Sequence, residues 1–488
     1  MHLTPVELKK QRRLATTWSI TFLILFPLLI ALGLLLRLSQ SELMKLLLAN
    51  SYAFLTLHGW GMTGVLFSVT FASIWFLIST RFARLNINVG YFVYFTILMG
   101  VTGLTIATLI GKFGPGWYML YPLPFKDPTW VPWSIRMATV SILVLSTGWL
   151  IGIIHVLSAL AKEYGGFTNL LGWQYLVNQK SRKELPPIIL ITTVSLTVGL
   201  ISIITGIILM FIYLFQSYET VLIFDPLLLK NMSFFFGRTL SSVTLYCAAG
   251  WMYALLPEFT GREWKTNKTL VYAWNATFFL ILFSYLHHLY IHFAQLSSMQ
   301  YAQITSHLSA IPATAITMFG VIMQLYHSKT KWSIVPLMIL LGMGGWAIGS
   351  IAEAVDSTIV FNKALNNTLW IPAHDHTYTL MGIVLFILAF LFYLFSEKSN
   401  EKDRVAKTGF WIFVIGGYGF LLMLYLGGLS SIPQSYARYA GMRIESMHKK
   451  AVFLSQISVW FIILLLIGLF IMFFSLFAKI LKKENPEL

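Results

Sequence analysis

The sequence predicts an all-α integral membrane protein, a bundle of about twelve transmembrane helices forming a single membrane domain over residues 1–488. Three observations carry that reading. The 488 residues are 57% hydrophobic and only 11% charged, with a mean hydropathy of +0.75, more apolar surface than a water-soluble chain of this length could hide. Long apolar stretches recur from residue 17 to residue 477, each able to cross a hydrocarbon core of about 30 Å as a helix. The connections between them alternate between basic and aromatic.

In chain order the spans fall at roughly 17–36, 52–79, 90–113, 133–161, 187–216, 233–256, 269–292, 302–327, 332–354, 372–395, 408–430 and 450–477. Lys9, Lys10, Arg12 and Arg13 precede the first. No small-residue cleavage site follows, so the span reads as a retained helix and not a signal peptide. Every second connection is basic: Arg81 and Arg84, Lys162 to Lys183, Arg262 to Lys268, Lys329 and Lys331, Lys398 to Lys407, and Lys479 to Lys483. With the amino-terminal segment these hold 22 of the 34 Lys and Arg residues. The positive-inside rule then places both termini in the cytoplasm, which requires an even number of spans. The net charge of +16 is therefore mostly a topology signal and not a nucleic-acid footprint. The single cysteine, Cys247, excludes an internal disulfide and any CxxC metal site.

Of eleven histidines, six gather near one face of this bundle. His58 opens the second span, His287, His288 and His292 close the seventh, and His374 and His376 open the tenth. Ionisable side chains inside a span are costly and point to a bundle interior where something satisfies them. For any single histidine a hydrogen bond to a neighbouring helix is the commoner explanation, and His155 and His327 fit it, while His448 beside Lys449 and Lys450 reads as a surface residue. The cluster asks for more. His374 and His376 lie about 200° apart around a helix, so their rings look to opposite sides. Such a pair can ligate two planar cofactors flanking one helix. Neutral imidazole is the usual axial ligand of haem iron, and a haem held by two histidines is an electron-transfer site.

The strings around these histidines are LTLHGWGMTGVLF, WYMLYPLPF, FFFGRTLSSVTLYCAAGWMYALLP, SYLHHLY, NNTLWIPAHDHTYTLMG and GGLSSIPQSYARY. In them the chain resembles subunit I of the haem–copper oxidase superfamily over nearly its whole length, and is most similar to the B-type cytochrome c oxidases. The resemblance implies two haems and one copper. His58 and His376 would be axial ligands of a low-spin haem, His374 the proximal ligand of a high-spin haem, and His287 and His288 two of three imidazoles on the copper. Asn366, Asn367 and Trp370, with Trp117 and Tyr121, would cover haem edges or else form an interfacial aromatic belt. The resemblance further implies a prokaryotic cytoplasmic membrane, dioxygen or nitric oxide as substrate, and electrons from a cupredoxin-like second subunit or a small cytochrome.

The sequence departs from the family pattern at four places. The third copper ligand should follow the glycine of the sixth span, where this chain has Gly237-Arg238. A guanidinium stays protonated and offers no lone pair, so it cannot coordinate copper. The family's tyrosine one turn on is Ser242, leaving Tyr246 on the same face as the nearest candidate for its catalytic part. The propionate-binding arginine pair after Pro433 is Gln434-Ser435, with Arg438 and Arg443 as substitutes. Asp375 stands between the two haem-ligating histidines, where the family has an aromatic, and an Arg238–Asp375 ion pair would offset the cost of burying either charge. Two expectations follow: a metal held by His287, His288 and a non-histidine group, or a lost copper site with Arg238 as a fixed charge.

Ser242, Tyr246 and Tyr253 in the sixth span and His307, Ser309, Thr314 and Thr317 in the eighth could line a proton route, or serve as ordinary helix contacts. The competing functions are nitric oxide reduction, with Glu353 as the nearest glutamate, a haem-binding electron-transfer or gas-sensing relative, and a secondary transporter. The last leaves the His-x-His pair unexplained and shows no internal repeat.

Overall fold

The computed structural model describes residues 3–116, 119, 126–177, 183–218, 224–290, 301–302, 306–395, 403–434, 439 and 444–484. The regular elements among them are helices, with one isolated bridge between Thr368 and Pro433. Numbered in chain order they are α1 (Pro5–Gln40), α2 (Leu48–Arg81), α3 (Ile87–Leu109), α4 (Pro132–Tyr164), α5 (Pro187–Tyr218), α6 (Pro226–Gly250), α7 (Lys268–Leu280), α8 (Ile311–Leu325), α9 (Ile334–Asp356), α10 (Trp370–Phe395), α11 (Arg404–Leu429) and α12 (Glu445–Glu484). Helix α6 runs on through Met252–Thr260. Eleven of the helices are long and apolar enough to cross a membrane.

Local chemistry explains where several begin. Asn86, Asp225, Asn267 and Asp403 sit just before α3, α6, α7 and α11, and each side chain accepts a hydrogen bond from a first-turn N–H. Pro132 and Pro226 occupy first helical positions, where the missing N–H is no loss.

Two spans differ from expectation. The described part of 302–327 is a 3₁₀ turn, Ser306–Leu308, followed by α8, which has only 15 residues. Pro312 at the second position of α8 donates no backbone hydrogen bond, which suits a fresh start there. The seventh span is α-helical only to Leu280 and then continues as nine residues of 3₁₀ helix, Ile281–Leu289. So long a 3₁₀ run is uncommon and tends to mark a functional or strained segment. It carries His287 and His288. His292 lies outside the described residues.

The chain divides into two compact units. The first comprises Met1–Leu29, Leu47–Ala254 and Trp264–Ile316, the second Ile30–Leu46, Leu255–Glu263 and Thr317–Leu488. Within the first, small residues set the helix spacing: a Cβ at Gly100 of α3 would lie 2.7 Å from the Ser141 carbonyl of α4. Within the second, a Cβ at Gly416 of α11 would lie 2.5 Å from the Leu465 nitrogen of α12. The same two helices are tied at one end by Asp403, which takes Lys479 at 2.5 Å and the Ser475 hydroxyl at 2.8 Å.

The approach of α9 to α10 places the candidate site. Gly342, Gly345 and Gly349 form one stripe of α9, and that stripe continues into Glu353 and Asp356. A Cβ at Gly345 would run into the Met381 carbonyl, and one at Gly349 would lie 2.8 Å from the Tyr378 ring. The facing stripe of α10 is His374, Tyr378 and Met381. Backbone contact through the glycines therefore brings the carboxylates at the end of α9 against the histidine at the start of α10.

Candidate functional site

His58, in the first unit, stands on α2 and directs its Nδ1 at the Leu29 carbonyl of α1, 2.8 Å away. Gly61, one turn on, permits this, because a Cβ there would lie 2.6 Å from the Leu29 side chain. In the second unit His376 places its Nδ1 2.7 Å from the Pro372 carbonyl, one turn back in its own helix. His374 places its Nδ1 2.5 Å from Asp356 Oδ2. His374 Nδ1 makes a close contact with a carboxylate, and, because a carbonyl can only accept, Nδ1 carries the proton in His58 and His376. In those two rings the lone pair is then on Nε2. That is the tautomer a neutral histidine needs in order to bind haem iron, and the partner on Nδ1 fixes the ring's orientation.

The His374-x-His376 geometry is as the helical spacing requires. His374 looks toward α9, and His376 looks toward α11, where its ring meets Phe420 edge-on at 5.6 Å. His374 is nearly fully buried, and its Nε2 lies 3.4 Å from Asp375 Oδ1, longer than a good hydrogen bond.

Buried indole N–H groups without an acceptor among the described residues include those of Trp60, two residues after His58, Trp274 of α7, and Trp370, at the start of α10. A carboxylate or carbonyl on the edge of a haem would satisfy such donors, which cost free energy when left unpaired. Trp370 packs its ring edge-on against Tyr425 at 4.9 Å.

The asparagines of the NNT run take part in a local set of hydrogen bonds. Asn367 adopts a left-handed conformation (φ 62°) and its carbonyl accepts the Gln434 N–H at 2.9 Å. Leu369 donates its N–H to Ile432 at 2.9 Å. Asn366 donates to the Asn362 side chain at 3.2 Å. The NNTLW and SSIPQ strings are thus the two halves of one small backbone clamp. Gly428 belongs to it, since a Cβ there would lie 2.5 Å from the Trp370 nitrogen.

His287 and His288, on the 3₁₀ segment of the first unit, are buried, with ring centroids 4.0 Å apart and planes inclined at 39°. Helix α6 packs on this segment, and Phe234, one turn before Arg238, lies 6.5 Å from the His288 ring. Arg238 is itself buried. Two imidazoles and a guanidinium do not make the three-nitrogen donor set that copper takes in this family, because the guanidinium has no lone pair to give. Tyr246, two turns beyond Arg238, is buried edge-on against Trp274 of α7 at 5.4 Å. Ser242 gives its hydroxyl proton back to the Arg238 carbonyl at 3.3 Å, a contact within its own helix. Tyr253 stacks 4.1 Å from Trp264.

Trp117, Tyr121, Arg438 and Arg443 lie outside the described residues, as does the side chain of His307. Sequence reading missed Asp356, whose signal was its place on the glycine stripe of α9. It also missed Arg37, a buried cation on α1 that is hydrogen-bonded to Tyr439 in the segment after Pro433. Burial pushes the Tyr439 phenol up, and although Arg37 pulls it down the net is above its ordinary value.

The family model described as "Cytochrome C and Quinol oxidase polypeptide I" matches residues 13–464. The chain is 25% identical over 219 residues to cytochrome c oxidase polypeptide 1 of Halobacterium salinarum, covering 44% of this chain and 36% of that protein. It is 22% identical over 268 residues to cytochrome c oxidase subunit 1 of Candida albicans, covering 54% and 48%. It is 22% identical over 216 residues to a probable quinol oxidase subunit 1 of Staphylococcus aureus, covering 44% and 32%. The matched segments thus span between a third and a half of these relatives' own lengths. Among solved structures, a heme-copper terminal oxidase dimer determined by cryo-EM shares the fold, with a TM-score of 0.77 and 16% identity over 98% of this chain and 84% of that one. The chain, a multi-pass all-α membrane protein, belongs to the cytochrome c and quinol oxidase polypeptide I family.

Proposed function

We propose that this chain is the haem-carrying subunit of a respiratory terminal oxidase, passing electrons through a low-spin haem to a high-spin haem where dioxygen is reduced. The observation that carries the reading is the placement of His58, His374 and His376, each with its Nδ1 engaged by an oxygen. By the family pattern His58 and His376 would hold the low-spin haem, and His374 would hold the high-spin one. Iron at these positions supplies one-electron chemistry and a site for a diatomic gas. The chain's own part is to hold the rings in register and to offer Trp60 and Trp370 N–H groups as donors to the haem edges. Tyr246 and Arg238 are the proposed catalytic side chains of α6, one a proton-bearing phenol and the other a fixed positive charge. Electrons would enter from a cupredoxin-like subunit or a small cytochrome, in a prokaryotic cytoplasmic membrane with both termini inside.

A second reading rests on Arg238. With Arg238 where the family pattern has the third imidazole, the copper site lacks that ligand, and the chain would be a haem-binding electron-transfer or gas-sensing relative, or a nitric oxide reductase-like enzyme using another metal. Glu353, the glutamate such a site would draw on, is hydrogen-bonded by Tyr378 at 2.5 Å.

Reduced-minus-oxidised and carbon monoxide difference spectra of the purified protein, with iron and copper counted per chain, separate these readings. Two irons with turnover of dioxygen support the oxidase. Two irons without copper and without turnover support the second reading. The absence of haem overturns both.

A further inference from the structure

We infer that Asp356 is a positioning residue for His374, its carboxylate holding the Nδ1–H of the proximal ligand and making that imidazole a stronger electron donor to the iron it binds. The inference rests on the proposed role of His374 as a haem ligand and adds a residue to it.

Both side chains are nearly fully buried, at 3% and 1% exposure, and the nitrogen–oxygen distance is 2.5 Å. Asp356 is the last residue of α9. A carboxylate at a helix C-terminus meets the negative end of the helix dipole, so helix stability gives no reason for an acid there. Burial in a membrane bundle adds a cost of several kcal/mol for an unpaired charge. The pairing with His374 is what offsets both. Approach is enforced by Gly349 and Gly345, which press α9 onto α10 two and three turns before Asp356. Asn362 then closes the turn after α9 by donating to the Asp356 carbonyl at 2.7 Å.

The contrast with the other two histidines is specific. His58 and His376 give their Nδ1 protons to neutral backbone carbonyls. His374 instead has its Nδ1 2.5 Å from an ionisable carboxyl and also has Asp375 and Glu353 within electrostatic reach. A charge-assisted bond is roughly twice as strong as a neutral one and pulls the shared proton further from the ring. The ring then carries more negative charge, which favours ferric over ferrous iron and strengthens the iron–nitrogen bond. The low-spin haem, ligated by carbonyl-bonded histidines, is left as an internal reference.

The test is Asp356→Asn, which keeps shape and an accepting oxygen but removes the charge, with Asp356→Glu as the conservative variant. Resonance Raman spectra of the ferrous protein and spectroelectrochemical titration of both haems are the readouts. The iron–histidine stretch should fall in the Asn variant. The high-spin midpoint should rise by about 59 mV, a tenfold shift in the ferrous-to-ferric ratio. The low-spin midpoint should stay in place, and the Glu variant should recover most of both changes. An unchanged stretch and midpoint in a haem-replete Asn variant would overturn the inference while leaving the oxidase reading intact. If the Asn variant loses haem, the Glu variant decides: a wild-type-like stretch and midpoint support the inference, and loss of the stretch with haem bound overturns it. A wild-type protein with no high-spin haem removes the inference together with the reading on which it stands.

Discussion

The carbonyl of Asn367 accepts the backbone N–H of Gln434 at 2.9 Å, closing the segment before α10 onto the segment after α11. Asn367 does this at φ 62°, a conformation that costs most residues but asparagine less. Asn367→Val should therefore destabilise the protein by about 1–2 kcal/mol, and Asn367→Gly should not. Thermal melting in detergent distinguishes them. Equal melting of the two variants would contradict the clamp.

The placement of the three histidines predicts separable haem losses. His58→Leu or His376→Leu should each remove the low-spin haem spectrum while carbon monoxide still binds at the other haem. His374→Leu should do the reverse. Loss of both haems from every variant would mean that the three rings do not serve two distinct sites.

Arg238 sets the copper prediction. The wild-type chain should carry well below one copper per chain, and Arg238→His should raise the ratio by supplying a third imidazole beside His287 and His288. Elemental analysis of both proteins suffices. A wild-type value of one copper per chain would show that some other donor completes the site.

Helix α9 tolerates no side chain where it meets α10. Gly349→Val would drive its methyls into the Tyr378 ring and should cost about 1–3 kcal/mol through overpacking. The high-spin haem should be lost before the low-spin one, because the displaced helix carries Asp356 away from His374. Simultaneous loss of both, tracked by absorbance during heating, would argue against that order.

Asp403 supplies a pH-dependent test away from the haems. Burial pushes its carboxyl up, but Lys479, the Ala406 N–H and the Ser475 hydroxyl pull it down further, so its net position is below the ordinary carboxylate value. A group depressed in the folded state stabilises above its unfolded pKa and loses that stabilisation as pH falls through the folded one. The α11–α12 tie should thus be intact at neutral pH and fail only in acid below about pH 4. Asp403→Asn should lower the melting temperature at pH 7, and the difference from wild type should vanish on acidification. A constant difference across that range would remove the carboxylate from the account.

The sequence by itself determined the membrane class, the positions of nearly all the spans and the identity of the histidines, because apolar length, loop charge and helical periodicity are one-dimensional signals. It could also show that Arg238 has no lone pair for a metal, which is a property of the side chain alone. It stopped short at the seventh and eighth spans, where hydropathy does not distinguish a 3₁₀ run from an α-helix or reveal a restart at Pro312. Nor does it reveal that Asn367 and Leu369 join two loops some sixty-five residues apart through their backbone. Only the tertiary structure decided what engages the Nδ1 of each histidine, the Leu29 carbonyl, the Pro372 carbonyl or the Asp356 carboxylate. Two of those three groups are backbone or carboxyl atoms brought in by helix packing from 18 and 29 residues away, and no sequence period encodes that distance.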